Sequence, residues 1–278
     1  MILIVLLKAE QEDVWMGCRI NEVILLGTGV TIPSKDRNAP GVLVNLDDDT
    51  LFLFDCGNGI LRQIAKADVD FVKIDNIFLT HLHLDHTSDL GILVKANWLQ
   101  GRQNTLNVIG PHGTKQMCDL FFSKVYPYLE DVIPLEVTDA SPGIVLKNKH
   151  YRISCFPLTH GVSSLAYKIE TKENMIVVCG DTYSPVKGLS DFSKNADLLI
   201  HEVSFPNDYP YEKKDHTKPT PLGREAEEAG VKTLVVTHMY PACEGKEEQI
   251  VKSIKESYTG EVVIGEDLLV ISLARESK

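Results

Sequence analysis

Short apolar runs alternate along this chain with stretches whose apolar residues recur every three or four positions. Glu22-Val-Ile-Leu-Leu26, Gly41-Val-Leu-Val-Asn45 and Leu51-Phe-Leu-Phe54 read as an early cluster of strands, joined by turn residues such as Asp47-Asp-Asp49. A short helix is predicted over 59–67, and Asn76-Ile-Phe-Leu79 reads as a buried strand. Helices are predicted over about 89–99 and 113–128. In the second half, 151–156, 165–170, 175–178, 197–200 and 233–236 have strand character. One helix there is punctuated by Thr220 as N-cap, Pro221 in the first turn and Gly230 just past the end. A last helix over 247–258 precedes strands at 261–264 and 268–271. Strands that come in clusters as well as in βα alternation predict an α/β (α+β) chain, with two mixed β-sheets packed face to face and helices outside.

Composition narrows this picture. The 278 residues are 44% hydrophobic and 24% charged, enough to bury a sizeable core. There is no linker, low-complexity tract or short repeat, so residues 19–278 read as a single domain behind an N-terminal extension over 1–18. The apolar run Met1–Leu7 cannot span a bilayer and has no basic residues before it, which argues against a membrane anchor or signal peptide. Met16 is an alternative start. Six cysteines are scattered with no C-x-x-C pair, as expected of buried thiols in a reducing cytoplasm. A net charge of −11 disfavours broad, sequence-independent binding of nucleic acid, though not a local basic patch.

The chemistry concentrates in Thr80-His-Leu-His-Leu-Asp-His86, where an apolar strand ends. In an extended exit His81 and His83 project to the same side. A tighter turn after them brings Asp85 and His86 to an adjacent second site. Imidazole and carboxylate suit Zn, and equally Mn or Fe, and such a set needs further ligands from elsewhere in the chain. His160, Asp181 and His238 offer them, each at a strand end or in the following loop. Asp181 follows the apolar run 175–178, a placement from which its carboxylate can bridge two divalent metal ions. His112 and His150 have no partner pattern and read as structural or exposed.

The H-x-H-x-D-H segment, the later single His, the Gly-Asp-Thr at 180–182 and the Thr-His at 237–238 resemble the metallo-β-lactamase fold superfamily over nearly all of residues 19–272. That resemblance implies a four-layer αβ/βα sandwich with two metal ions in a cleft between its halves. It assigns His81, His83 and His160 to one ion and Asp85, His86 and His238 to the other, with Asp181 bridging. Leu26-Gly-Thr-Gly29 followed by Pro33-Ser-Lys-Asp-Arg-Asn38, together with His201-Glu-Val-Ser204 and Asp215-His-Thr217, is similar to the ribonuclease Z and arylsulfatase-like branch. The resemblance implies a metal-dependent phosphodiesterase with a metal-activated water at Asp85. His216, oriented by Glu202, would protonate the leaving oxygen or stabilise charge at phosphorus. Lys35 and Arg37 would contact phosphate or sulfate oxygens.

The branch also implies a homodimer and, as its best-known substrate, precursor tRNA. Two features weigh against efficient tRNA processing. One is the acidic charge. The other is that only twenty residues, 161–180, separate His160 from Asp181, room for a hairpin where ribonuclease Z carries a long arm. The alternatives are an arylsulfatase-like or other small-ester hydrolase with the same centre, or a non-catalytic, metal-stabilised scaffold. Retention of every expected ligand argues for catalysis.

Overall fold

In the computed structural model the described residues are 22–46, 50–210 and 213–273. The predicted extension over 1–18, the start at Met16 and the turn at Asp47–Asp49 lie outside them. In chain order the elements are β1 (Glu22–Gly27), β2 (Gly41–Leu46), β3 (Thr50–Phe54), α1 (Ile60–Lys66), β4 (Ile74–Phe78), α2 (Leu84–Thr87), α3 (Leu90–Leu99), β5 (Leu106–Gly110), α4 (Thr114–Leu120) and β6 (Leu135–Asp139). Then follow β7 (Gly143–Lys147), β8 (Tyr151–Leu158), β9 (Ser164–Thr171), β10 (Met175–Cys179), α5 (Leu189–Phe192), β11 (Leu198–Glu202), α6 (Pro219–Ala229), β12 (Thr233–Thr237), α7 (Glu247–Lys255), β13 (Glu261–Ile264) and β14 (Leu269–Ser272).

The strands form two seven-stranded sheets, ordered β14-β1-β2-β3-β4-β5-β6 and β13-β12-β11-β10-β9-β8-β7. Each is mixed: β3 to β6 and β10 to β13 run parallel, while the remaining pairs are antiparallel. Near-continuous apolar strands make sense here because both faces are covered. In β1, Val23 and Leu25 enter the core between the sheets, whereas Ile24 and Leu26 face Ile60 and Ile64 of α1. In β11, Leu198 and Ile200 point inward, and Leu199 packs with Leu222 of α6 and Ile250 of α7. Three cores separate four layers, as the resemblance implied.

Some expectations need correction. The stretch read as one helix over 113–128 is α4, a π-turn at Phe121–Val125 and a 3-10 turn at Pro127–Leu129. Pro127 has no N–H, and its ring crowds the preceding turn. The capped helix begins at Pro219 with Lys218 in the N-cap position rather than Thr220; it ends, as expected, on Gly230 at φ 65°. β5, β6 and β7 were not anticipated. β6 and β7 are edge strands without a fully buried residue, so their apolar alternation is weak.

Four of the parallel strands deliver the chemistry. The loops after β4, β10, β11 and β12 leave the carboxyl ends of their strands on one side, where α/β sheets generally bind ligands. Beneath them Phe54, Phe78 and Tyr167 form an aromatic cluster, with Phe54 and Phe78 stacked at 5.1 Å. The Tyr167 hydroxyl donates to the Leu79 carbonyl at 2.8 Å, tying the exit of β4 to the opposite sheet. Gly180 completes the approach, because a Cβ there would lie 2.6 Å from the Thr80 Cβ.

Candidate metal centre

Leaving β4, the backbone stays extended to His83 and then closes into the single turn of α2. His81 Nε2 and His83 Nδ1 are 3.0 Å apart, and His160 Nε2 approaches the same His83 nitrogen at 3.4 Å. The turn carries Asp85 and His86 around to a second group. His238 Nε2 lies 3.7 Å from Asp85 Oδ2, and His86 Nε2 lies 4.0 Å from it. Asp181 stands between the groups: its Oδ2 is 3.7 Å from His81 Nε2 and 3.2 Å from His238 Nε2, and its Oδ1 is 3.5 Å from His86 Nε2. All the ligands expected from the sequence therefore converge as two adjoining clusters, His81–His83–His160–Asp181 and Asp85–His86–His238.

The orientation of each ring tests whether ions fit. His86 Nδ1–H donates to Asp55 at 2.7 Å and His81 Nδ1–H to Thr80 Oγ1 at 3.1 Å. His160 Nδ1–H donates to the Asp215 carbonyl at 2.6 Å and His238 Nδ1–H to Ser204 Oγ at 3.1 Å. With the outer nitrogens protonated, the inner lone pairs face the centre. The Nε2 atoms of His86 and His238 are buried without a hydrogen-bond partner. Buried imidazoles left unpaired toward a shared carboxylate are what divalent ions would satisfy, and the residues fit two of them.

The charges agree. Burial, reinforced by the neighbouring imidazoles, drives the His81 pKa far down, leaving a neutral base. Burial opposes protonation of His86 as well, but Asp55 and Asp181 outweigh it and lift the group to about 9. For Asp85, burial works against ionisation, and the nearby His238 and His86 imidazoles hold its carboxyl well below the usual range.

Asp55 was missed from the sequence. It follows β3 with φ 61° and accepts from the backbone and hydroxyl of Thr80 at 2.7 and 2.8 Å, as well as from His86. An acid directly after an apolar strand, as at Asp181, was the available signal. Loss of a ligand's hydrogen-bond partner costs about 10–100-fold in metal affinity. Asp55→Ala is therefore expected to weaken metal binding at the His86 cluster by about that factor, measured by competition with a chromophoric chelator.

Glu202, 1% exposed, does more than the sequence suggested. It accepts from Thr182 N at 2.7 Å, Thr217 N at 3.2 Å, His216 Nδ1 at 3.0 Å and the Ser204 hydroxyl, through which it also reaches His238. Burial penalises its charge, but the bond from His216 and the nearby His238 keep the carboxyl below its ordinary range. His216 responds in kind: burial opposes its proton, yet Glu202 and Asp181 raise it to about 9. His216, Asp181 and His238 also form a third potential metal group. The His216 Nδ1 that lies 4.0 Å from Asp181 is already bonded to Glu202, which favours a proton donor over a ligand.

The loop over 30–38 lines a cleft of about 310 Å³ that opens beside Asp85, bounded by Ile32, Ser34, Arg37, Asn38 and Leu84. Lys35 is exposed on it. Arg37 holds the loop in place, since its Nη1 donates to Thr28 Oγ1 at 2.8 Å and to the Gly265 carbonyl at 2.6 Å. Asp267 helps by accepting from Thr28 N, Asn38 N and Gln63 Nε2. His112, with its Nδ1 3.2 Å from Asp139, and His150 are exposed, as expected, and neither belongs to the clusters.

Comparison with known proteins places this geometry in context. A family model described as the beta-lactamase superfamily domain matches residues 50–239. Ribonuclease Z of Mycobacterium marinum is 31% identical, the match covering 89% of this chain and 96% of that protein. Ribonuclease Z of Methanocaldococcus jannaschii is 30% identical, with coverage of 90% and 96%. That alignment runs over 309 positions, more than the 278 of this chain, so the relative carries segments with no counterpart here. Among solved structures, human tRNase Z, short form, superposes with a TM-score of 0.77 at 26% identity, covering 91% of this chain and all of that one (100%). The metallo-beta-lactamase fold protein YhfI of Bacillus subtilis gives 0.77 at 27% identity, covering 90% and 98%.

Proposed function

The chain belongs to the beta-lactamase superfamily, and from that premise we propose that it is a ribonuclease Z-like phosphodiesterase working through two divalent ions, zinc first among them. One observation carries the reading: His216, paired with Glu202, stands against the shared carboxylate Asp181. A metal centre alone serves many hydrolyses, but a held imidazolium beside it suits a reaction in which a poor oxygen leaving group departs from phosphorus.

His81, His83 and His160 would hold one ion, and Asp85, His86 and His238 the other, with Asp181 shared. When bound, the ions supply Lewis acidity toward a phosphoryl oxygen and lower the pKa of water. Asp85 would accept the proton of the attacking water and keep its oxygen in line. Glu202 fixes the His216 tautomer through Nδ1, so the ring's other nitrogen hands its proton to the leaving oxygen. Thr182 and Thr217 hold Glu202 in place as they donate to it. Arg37 lines the cleft at Asp85, Lys35 is exposed on the same loop, and both would meet the substrate's flanking charge.

The substrate class follows from what surrounds the centre. Between His160 and Asp181 the chain forms only the β9–β10 hairpin. With no arm there and a net charge of −11, small or single-stranded phosphodiesters suit the site better than a folded tRNA. The test is a parallel assay of zinc-loaded protein on an aryl phosphodiester, an aryl sulfate and an unprocessed tRNA. The phosphodiester should turn over fastest. Preferred cleavage of the sulfate would move the enzyme to the arylsulfatase-like reading, and efficient tRNA cleavage would overturn the substrate restriction.

Residues 19–278 would act as one hydrolase domain, in a cytoplasmic protein. The cysteines of the described region, Cys56, Cys118, Cys155, Cys179 and Cys243, are all free and buried. No described helix is long and apolar enough to cross a membrane. A homodimer is supported by the exposed Ile92, Trp98 and Leu99 on α3 and by Leu120, Val125 and Tyr128 nearby, where Lys95 sits over the Tyr128 ring at 5.4 Å. Leu99→Glu should halve the mass measured by light scattering while leaving kcat within about twofold, since the dimer reading places no catalytic group on that face.

A further inference from the structure

Tyr240 lies two residues past His238, and the chemistry described so far gives it no role. Its ring is half-buried and stands 5.6 Å from His216 and 6.0 Å from His238, inclined at 67° to both. Phe205 covers it at 4.7 Å, and Tyr209 stacks behind Phe205 at 4.7 Å with an interplanar angle of 4°. The ring is thereby fixed by packing. Its hydroxyl, however, makes no hydrogen bond to any described residue. The phenol also lies within the electrostatic reach of Asp181, Asp85, Glu202 and Asp215, the acids gathered around the centre. A ring fixed by packing beside the proposed proton donor and a candidate metal ligand, with a hydroxyl that no described residue engages, is placed to meet something that enters the site.

We propose that Tyr240 is a further catalytic residue whose hydroxyl donates a hydrogen bond to a non-bridging oxygen of the reacting phosphoryl group. This rests on the phosphodiesterase reading above. As attack proceeds, charge gathers on the equatorial oxygens of phosphorus, and a donor held in place by packing stabilises that charge without reorganising. The phenol keeps its proton throughout; the proton on the leaving oxygen comes from His216. No described residue accepts from the hydroxyl, so no described hydrogen bond gives it a structural role at this position next to His216.

Tyr240→Phe preserves the ring and its packing against Phe205, so folding and metal content should match the wild type by melting temperature and by elemental analysis. With a zinc-loaded enzyme and an aryl phosphodiester, kcat is expected to fall at least about tenfold while KM stays within about twofold. Unchanged kcat, or a rise in KM alone, would overturn the proposal and leave the phosphodiesterase reading intact. A second readout does not depend on turnover. Orthovanadate, which adopts the trigonal-bipyramidal geometry, should raise the melting temperature of the loaded wild type more than that of Tyr240→Phe, whereas inorganic phosphate should affect both alike. If the wild type cleaves none of the phosphodiesters tested, the reading of the reaction fails, and equal vanadate shifts in the two proteins would then sink the role of Tyr240 separately.

Discussion

Asp85→Ala is expected to reduce kcat/KM toward an aryl phosphodiester by well over a hundredfold. Removing only the hydrogen-bond partner of a metal ligand costs about 10–100-fold, and Asp85 is itself placed as a ligand and as the group that receives the water's proton. Its Oδ2 stands 3.7 Å from His238 Nε2 and 4.0 Å from His86 Nε2, so its loss takes the only carboxylate from the second cluster except the shared Asp181. The fold should survive. Asp85 lies on the single turn of α2, outside the three apolar cores, and the only other described group its carboxylate holds by a hydrogen bond is Thr31 N, at 3.2 Å. Metal-free variant and metal-free wild type should therefore melt at similar temperatures. A variant that turned over at the wild-type rate would remove Asp85 from the centre.

His216→Ala is expected to lower kcat about 10²–10⁴-fold with little change in KM, the range a positioned acid contributes. A general acid matters in proportion to how badly the leaving oxygen needs a proton. The loss should thus be largest for an alkyl or ribose leaving group and smallest for 4-nitrophenolate, which departs unaided. Equal losses across leaving groups would assign His216 to charge stabilisation instead, and an effect confined to KM would reduce it to substrate binding. The variant also leaves Glu202 with one donor fewer in a site where that carboxylate is 1% exposed, so some stability is lost as well. Comparing rates at a temperature well below both melting points separates the two effects.

The candidate centre was largely legible in the sequence because its candidate ligands announce themselves locally. His81 to His86 are near neighbours, and Asp181 and His238 each end an apolar run that could only be a buried strand. What was not legible acts across the fold. Asp55 gains its meaning from His86, and Ser204 from His238, partners that only the packing of strands brings near. Arg37 likewise has a part that only the fold reveals: one guanidinium nitrogen commits both its hydrogens to Thr28 and to the distant Gly265 carbonyl, so the residue anchors the loop whose cleft it lines. Two of the three overlooked strands share a physical cause too. β6 and β7 lie at sheet edges, where many side chains meet water and the hydrophobic signal fades.

His238 illustrates how the fold pays locally for the centre. Its backbone sits at φ 54°, a left-handed conformation that costs a non-glycine residue about 1–2 kcal/mol. The turn is held by Met239 N–H donating to the Thr28 carbonyl at 3.0 Å. This links the ligand to the same Thr28 that Arg37 and Asp267 secure.

The two clusters draw on both sheets: His81, His83, Asp85 and His86 follow β4 of the first, whereas His160, Asp181 and His238 follow β8, β10 and β12 of the second. Ions held by both sets would act as clasps across the sandwich. The sheets could not part until the clasps opened, so metal loading should slow unfolding more than it speeds folding, and the protein's lifetime in a dilute chelator would be set by ion release. Resistance to proteolysis would then report the occupancy of the catalytic centre.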